Sequence, residues 1–434
     1  MFNKLLLLFK KSIWLYPALI SLLSFLGALL VVYLDTSFFI DLTSFLPSIL
    51  FTSVDLSKTI LTVIAGALIT MTTFTFSTTM VVLTTYSSQF SPRTVENFLS
   101  DETTMKTLGI FTGGFVYSIT TLLFMRIALG EQLVISATLA ILYSLVCLAY
   151  FILYITHVGS FIQTNNLIER LYISALKRIE DYKELIKDKD IVEREINETE
   201  DLMIRITSKS NGYIQLIDHN KISEIASEIN CLLIFEERIG SFVSDSTVIF
   251  TLHLNENTEY KEEYTEKLLN SVTIGMGKSE IQDFSFAIQK IVEIALRAIS
   301  PGVNDPNTAN HCLKIIGILL GKVAELEDGY VIFKKSDDKN GKAIFRTISF
   351  EKEIYYTLYQ IVHYGKSDIS VMLSMLQGLL FTIEKAGKEN QKAVLSFIDY
   401  TWDKLETGLL KGYDNILLEK ARNKIISHTQ NSHN

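Results

Sequence analysis

Apolar residues run almost unbroken through four stretches before residue 163, and beyond it they recur at short periods between charged positions. A bilayer core about 30 Å thick takes about 20 apolar residues of helix. The stretches at 13–34, 59–89, 107–125 and 132–156 meet that length, so each is read as a membrane span. The first opens on Trp14 and Tyr16, aromatics of the kind that settle at the membrane interface. The second carries no charge for 31 residues. That is roughly 46 Å of helix, longer than the core it crosses. The link at 126–131 makes the third and fourth spans a tight antiparallel pair. No small-x-small cleavage site ends the first stretch, which reads as an uncleaved anchor.

After 163 the pattern changes. An amphipathic helical connector is expected over 164–200, ending in a charge-dense run. Residues 202–207 and 213–217 alternate at period two around Ser210-Asn211-Gly212, a hairpin signal. With further strands near 231–236 and 247–252, the stretch 201–256 reads as a small β-rich subdomain, a barrel or sandwich. Residues 257–434 read as mainly helical, with a β-hairpin near 330–349. Apolar positions Phe284, Ile288, Ile291, Val292, Ala295 and Ile299 recur at helical spacing and stop at Ser300-Pro301-Gly302. Asp305-Pro306 then opens the next helix, with a capping acceptor followed by proline in the first turn. The fold class expected is an α-helical membrane protein with four transmembrane helices (1–163) plus a cytosolic α+β domain.

Charge sets the orientation. Seven basic and seven acidic residues balance within 1–163, so the whole net charge of −8 lies beyond it. Lys4, Lys10 and Lys11 precede the first span, and Arg170, Lys177 and Arg178 follow the fourth. Basic residues gather on the cytosolic side, which places both termini there. An acidic second half argues against nucleic acid as a partner, since phosphate binding needs a basic patch. Cys147, Cys231 and Cys312 show no metal-ligand or disulfide spacing. No catalytic residue, metal or cofactor is expected, because no paired-carboxylate, nucleophile-elbow or phosphate-loop pattern is present.

The second span is the most unusual segment. Thirteen Ser or Thr residues lie between Thr59 and Ser88. On a helix, Thr62, Gly66, Thr70, Thr73, Ser77, Thr84 and Ser88 share an arc of about 80° together with Thr59. Such a face can line a hydrated pore, where hydroxyls replace part of an ion's water shell. It can equally serve close helix packing, which favours small and hydroxyl residues. The spans carry no interior charge, which speaks against coupled transport. His157 falls at the inner end of the fourth span and is expected to be solvated.

Two clusters carry a family resemblance. One runs from Phe76-Ser77 through Gln89, Ser91, Pro92 and Arg93 to Phe98 and Asp101, followed by Leu108-Gly109 and Phe115-Val116-Tyr117. The other is Gln282-Asp283 with Arg297, Ser300-Pro301-Gly302, Asn304, Asp305 and Pro306. Together they resemble the bacterial predicted-membrane-protein family called domain of unknown function 2254. Where that family often has Gly-x-Glu-Arg-Thr before Gln-Asp, this chain has Gly277-Lys278-Ser279-Glu280-Ile281. The resemblance implies a bacterial membrane setting and brings no activity with it. Arg93 could hold lipid headgroups. Asn304 and Asp305 are read as a helix corner and its cap, or as a cation or partner contact. The function expected is a channel-like, gated homo-oligomer of the bacterial plasma membrane with a cytosolic sensing domain, in contact with membrane lipid. The alternative is a non-conducting scaffold or signalling protein that binds a cytosolic partner.

Overall fold

A computed structural model of the chain describes residues 14–36, 47–89, 101–125, 133–187, 189–192, 202–254, 260–334, 341–406, 408 and 411–431. It divides into two compact units, residues 1–167 and 168–434.

Four helices long and apolar enough to cross a membrane make up the first unit: α1 (Leu15–Thr36), α2 (Val54–Gln89), α3 (Glu102–Phe124) and α4 (Ser136–Phe161). Two of them begin earlier than hydropathy alone suggests. Asp55 sits in the first turn of α2, where a carboxylate favours the positive end of the helix dipole. In α3, Glu102 and Lys106 pair one turn apart at 2.5 Å, so charge does not interrupt the helix. By contrast α4 starts later than expected. Leu133 and Val134 instead form a strand, β2 (Leu133–Val134), paired with β1 (Thr52–Ser53).

Helix α3 is the hub, with half of its apolar window buried against 17–22% for the other three. Its glycines permit this. A Cβ on Gly109 would sit 2.8 Å from Ile20 and 3.1 Å from the Pro17 backbone. One on Gly113 would meet Ser24 and Tyr143, and one on Gly114 would meet Tyr143 and Leu68. Small residues that let backbones approach are what membrane helix pairs use in place of a hydrophobic driving force.

The second unit begins along α5 (Thr164–Ile186) and surrounds a mixed sheet. The strands are β3 (Asp190–Val192), β4 (Leu202–Thr207), β5 (Gly212–Ile217), β6 (Leu232–Phe235), β7 (Phe242–Val243), β8 (Val248–Leu254), β9 (Val272–Gly275), β10 (Tyr330–Phe333) and β11 (Lys342–Arg346). Six lie in the order β3-β10-β11-β6-β8-β4, and β7-β5-β9 form a separate three-stranded sheet. Neighbours are antiparallel except β6 and β11, which pair in parallel.

This corrects two expectations. No closed barrel forms among the described residues of 201–256: the large sheet is open, and it draws in strands from before that stretch and from the 330–349 hairpin. Nor do 202–207 and 213–217 pair with each other. β4 pairs with β8 and β5 with β7 and β9. The reason lies in β8, where six of seven residues are buried. A strand covered on both faces needs a hydrogen-bonded neighbour along each edge, and β4 supplies the second beside β6.

Helices α6 (His219–Ile229) and α7 (Glu262–Leu269) cover this region. Ile222, Ile225, Ala226 and Ile229 of α6 join Leu233, Phe235, Ile249, Phe250 and Leu252 in one core. The remainder is helical: α8 (Phe284–Ala298), α9 (Pro306–Val323), α10 (Phe350–Gly365), α11 (Ile369–Ile383), α12 (Lys388–Lys404) and α13 (Gly412–Asn431). α9 and α11 cross where Gly317 meets Gly378, and a Cβ on Gly317 would overlap the Gly378 backbone. Thr382 Oγ1 donates to the Gly317 carbonyl at 3.0 Å across the same crossing.

Candidate functional site

Helix α2 presents two faces. Leu61, Ala65, Leu68, Thr75, Thr79, Val82 and Tyr86 are buried. Thr62, Gly66, Thr70, Thr73, Ser77, Thr84 and Ser88 are all exposed. Among the described residues of one copy, therefore, the hydroxyl face lies away from the side of α2 that packs against the other spans. The hydroxyls of Thr62, Thr70, Thr73 and Thr84 each donate to the carbonyl one turn back, at 2.8–2.9 Å. A Cβ on Gly66 would meet nothing within 4 Å. Gln89 is the last residue of α2; Ser91, Pro92 and Arg93 lie outside the described residues.

Many of the polar contacts between spans come from tyrosines instead, and Ser21 Oγ of α1 donates to Thr112 Oγ1 of α3 at 3.3 Å. Tyr86 Oη donates to the Phe161 carbonyl, joining the ends of α2 and α4. Tyr154 Oη lies 2.9 Å from the Thr75 carbonyl and 3.0 Å from Thr79 Oγ1. Tyr143 donates to Ile110 and Tyr117 to Ser136, at 3.0 and 3.1 Å. At one end of the unit, Asp35 of α1 accepts from the Ile135 and Ser136 amides and so caps α4. At the other end, Asp101 caps α3 through the Thr104 amide and lies 2.9 Å from His157 Nε2. His157 is thus paired rather than merely solvated. Burial works to raise the Asp101 carboxyl, but hydrogen bonds from His157 and Thr104 outweigh it and hold the group below the usual carboxylate range. Sequence reasoning missed these pins. The signal available was four tyrosines inside apolar runs, each needing a hydroxyl partner.

The second cluster converges on the start of α8. Gln282 receives the Ile217 amide on Oε1 at 2.8 Å and donates Nε2 to the Ile217 carbonyl at 3.0 Å. Its side chain thus stands in for a strand neighbour of β5. Asp283 caps α8 by accepting from the Phe286 amide at 2.9 Å. It is pressed against Gly240, which has φ +79° and whose Cβ, if present, would overlap the carboxylate. Glu353 of α10 is buried close by and accepts from Ser285. Burial pushes both carboxyls up, while Arg238 and Lys278 supply opposing positive charge. Lys278 stands in the segment where this chain departs from the family pattern. Lys290, 2% exposed, pairs with Glu280 at 2.9 Å.

Arg297 lies exposed in the last turn of α8. Asn304 adopts a left-handed conformation, φ 51°, in the corner that follows. Asp305 caps α9 through the Thr308 amide, and Pro306 takes the first helical position. Gln282 and Asp283 therefore sit together with Glu353, Arg238 and Gly240, which no local pattern marked. Asn304, Asp305 and Pro306 build the separate α8–α9 corner.

A unit built on four long apolar helices, followed by an open-sheet and helical unit, defines a multi-pass membrane protein. The chain belongs to the family described as predicted membrane protein (DUF2254), whose profile matches residues 10–380. Uncharacterized protein Rv1290c of Mycobacterium tuberculosis strain H37Rv is 25% identical over 341 residues, covering 74% of this chain and 62% of the relative. Uncharacterized protein Mb1321c of Mycobacterium bovis matches with the same identity and coverage. The chain thus spans 62% of the length of these curated relatives. No solved structure matches it.

Proposed function

We propose that the protein works in the bacterial plasma membrane as a homo-oligomer with both termini cytosolic, and that the hydroxyl face of α2 lines a gated conducting path where copies meet. The second unit acts as the cytosolic sensor. The observation that carries this reading is the placement of the hydroxyl arc. All seven of its marked residues lie on the exposed side of α2, opposite its buried face. Such a face gains a role once other copies enclose it, and its hydroxyl lone pairs can then replace part of an ion's hydration. Lipid contacts the rest of the outer surface. The distribution of Lys and Arg supports the orientation.

One observation favours a non-conducting scaffold instead. The Thr hydroxyls already bond their own helix, so the face needs neither water nor a polar partner. Cysteine accessibility separates the two. In liposomes, Thr62→Cys, Thr70→Cys, Thr73→Cys, Ser77→Cys and Thr84→Cys should react with a small aqueous thiol reagent, while Leu68→Cys, Thr75→Cys and Val82→Cys stay protected. Uniform protection together with absent ion flux leaves the scaffold. Reporter fusions after residue 11, within 94–106 and at the C-terminus should score cytosolic, and those within 36–57 external. An external C-terminus overturns the orientation.

A further inference from the structure

A cavity of about 60 Å³ opens in the second unit between α5, the start of α6 and strands β6, β10 and β11. Its apolar wall is built by Phe235, Phe333 and Phe345, with ring centroids 5.1 and 5.7 Å apart in the Phe333–Phe345 and Phe235–Phe345 pairs. His219 stacks on this wall, 5.2 Å from Phe333 and 4.7 Å from Phe345. Desolvation lowers His219 to about 4 and raises Tyr182, which also lines the cavity, to about 12. Both are uncharged at neutral pH, so the charged groups lining the space are Arg238, Arg346 and Glu237, a net excess of one positive charge.

Arg238 is the group without a local explanation. Among the described residues its guanidinium makes no hydrogen bond and closes no ion pair, although its charge reaches Tyr182, Asp283 and Glu353. Neither buried carboxyl lines the cavity, and among the described residues neither closes an ion pair with the guanidinium. Gln282 is committed to the β5 backbone and supplies no competing acceptor. A half-buried, five-donor cation at an aromatic wall suits a planar anion with an apolar end. Size restricts it further. Each water needs about 10–15 Å³ of such space, so the cavity takes an anion of roughly two to four carbons.

We propose that this cavity binds a short-chain monocarboxylate, its carboxylate on Arg238 and its alkyl end against the phenylalanine wall. The site stands whether or not the first unit conducts. The test uses the full chain in lipid nanodiscs, with propionate, propionamide and propylammonium as probes in saturation-transfer NMR and calorimetric titration. Propionate should bind saturably, and its uncharged isostere and the cation roughly ten-fold more weakly or worse. Arg238→Gln should lose propionate by a similar factor, Arg238→Lys by less, and Ile239→Phe should block the space while the protein melts normally. Equal binding of propionamide, unchanged binding by Arg238→Gln, or no saturable propionate binding would each overturn the proposal. If Arg238→Gln fails to fold, the propionate–propionamide comparison on the unaltered chain and Arg238→Lys decide the matter.

Discussion

In the first unit, large apolar side chains look outward, and Leu22, Leu26 and Leu30 of α1 are each more than half exposed. In the second, Leu252, Ile288 and Leu319 have no exposed surface at all. The contrast follows from the solvent. Water drives apolar side chains into a core, so the second unit is held by burial. Lipid is as apolar as leucine, so the first unit must be held by close backbone approach and hydrogen bonds between helices. That is why α3 carries Gly109, Gly113 and Gly114 inside and why Tyr86, Tyr117, Tyr143 and Tyr154 reach across to carbonyls. One device is common to both units: an aspartate at the N-cap, at Asp101 in the first and at Asp218, Asp283, Asp305 and Asp368 in the second.

The sharpest way to break this comparison is through glycine. Gly317→Ala drives a methyl into the Gly378 backbone, which cannot rotate away, so α9 and α11 must part. The expected loss is about 3 kcal/mol or more, seen as early hydrogen exchange in the second unit. Gly113→Ala meets the ends of Ser24, Tyr143 and Ile20 side chains at 2.7–2.9 Å, which can shift, so it should cost about 1–2 kcal/mol. Equal losses would show that the first unit is packed as rigidly as the second.

Capping comes next. Asp305→Ala should destabilise the second unit by about 1 kcal/mol in denaturant melts and leave membrane insertion intact. Asp305→Asn and Asp305→Ser should keep much of that stability. If both fail in function as badly as alanine, yet melt normally, Asp305 has a charge-dependent role beyond its cap.

Hydroxyl deletions within the first unit should be smaller and uneven. Tyr86→Phe and Tyr154→Phe should each cost about 0.6 kcal/mol, the average for such bonds between membrane helices. Thr70→Val and Thr73→Val should leave the melting of a single copy unchanged, because those hydroxyls serve their own helix. A stability loss from the threonines that appears only in the assembled state would place a partner copy on that face.

The smallest effect is one of sign. The Asp101 carboxyl is held low in the fold, so its contribution is present above the unfolded value of about 4 and is lost as pH falls through the lower folded one. Asp283 and Glu353 are held high, so the fold binds their protons more tightly and stability falls as pH rises above about 4. Glu353→Gln should therefore raise the melting temperature of the second unit at neutral pH and flatten its pH dependence. Asp101→Asn should lower the stability of the first. Shifts of the same sign would remove the electrostatic half of the contrast.

The sequence alone determined the four spans, because a membrane helix must satisfy its backbone within itself and advertise its lipid contact residue by residue. It also determined the cap at Asp305, whose bond closes within three residues, and the 330–349 hairpin. Tertiary structure decided the rest. The hairpin signal at Ser210-Asn211-Gly212 was overridden because β4 was needed beside β8, a choice set by burial on both faces of a strand some forty positions away. Which way the α2 hydroxyls point depended on α3, since helical period gives a face but not its neighbour. The cluster of Gln282, Asp283, Arg238, Gly240 and Glu353 joins residues up to 115 positions apart (353 − 238). No local period or motif encodes such a meeting, because desolvation and close approach belong to the folded chain and not to any stretch of it.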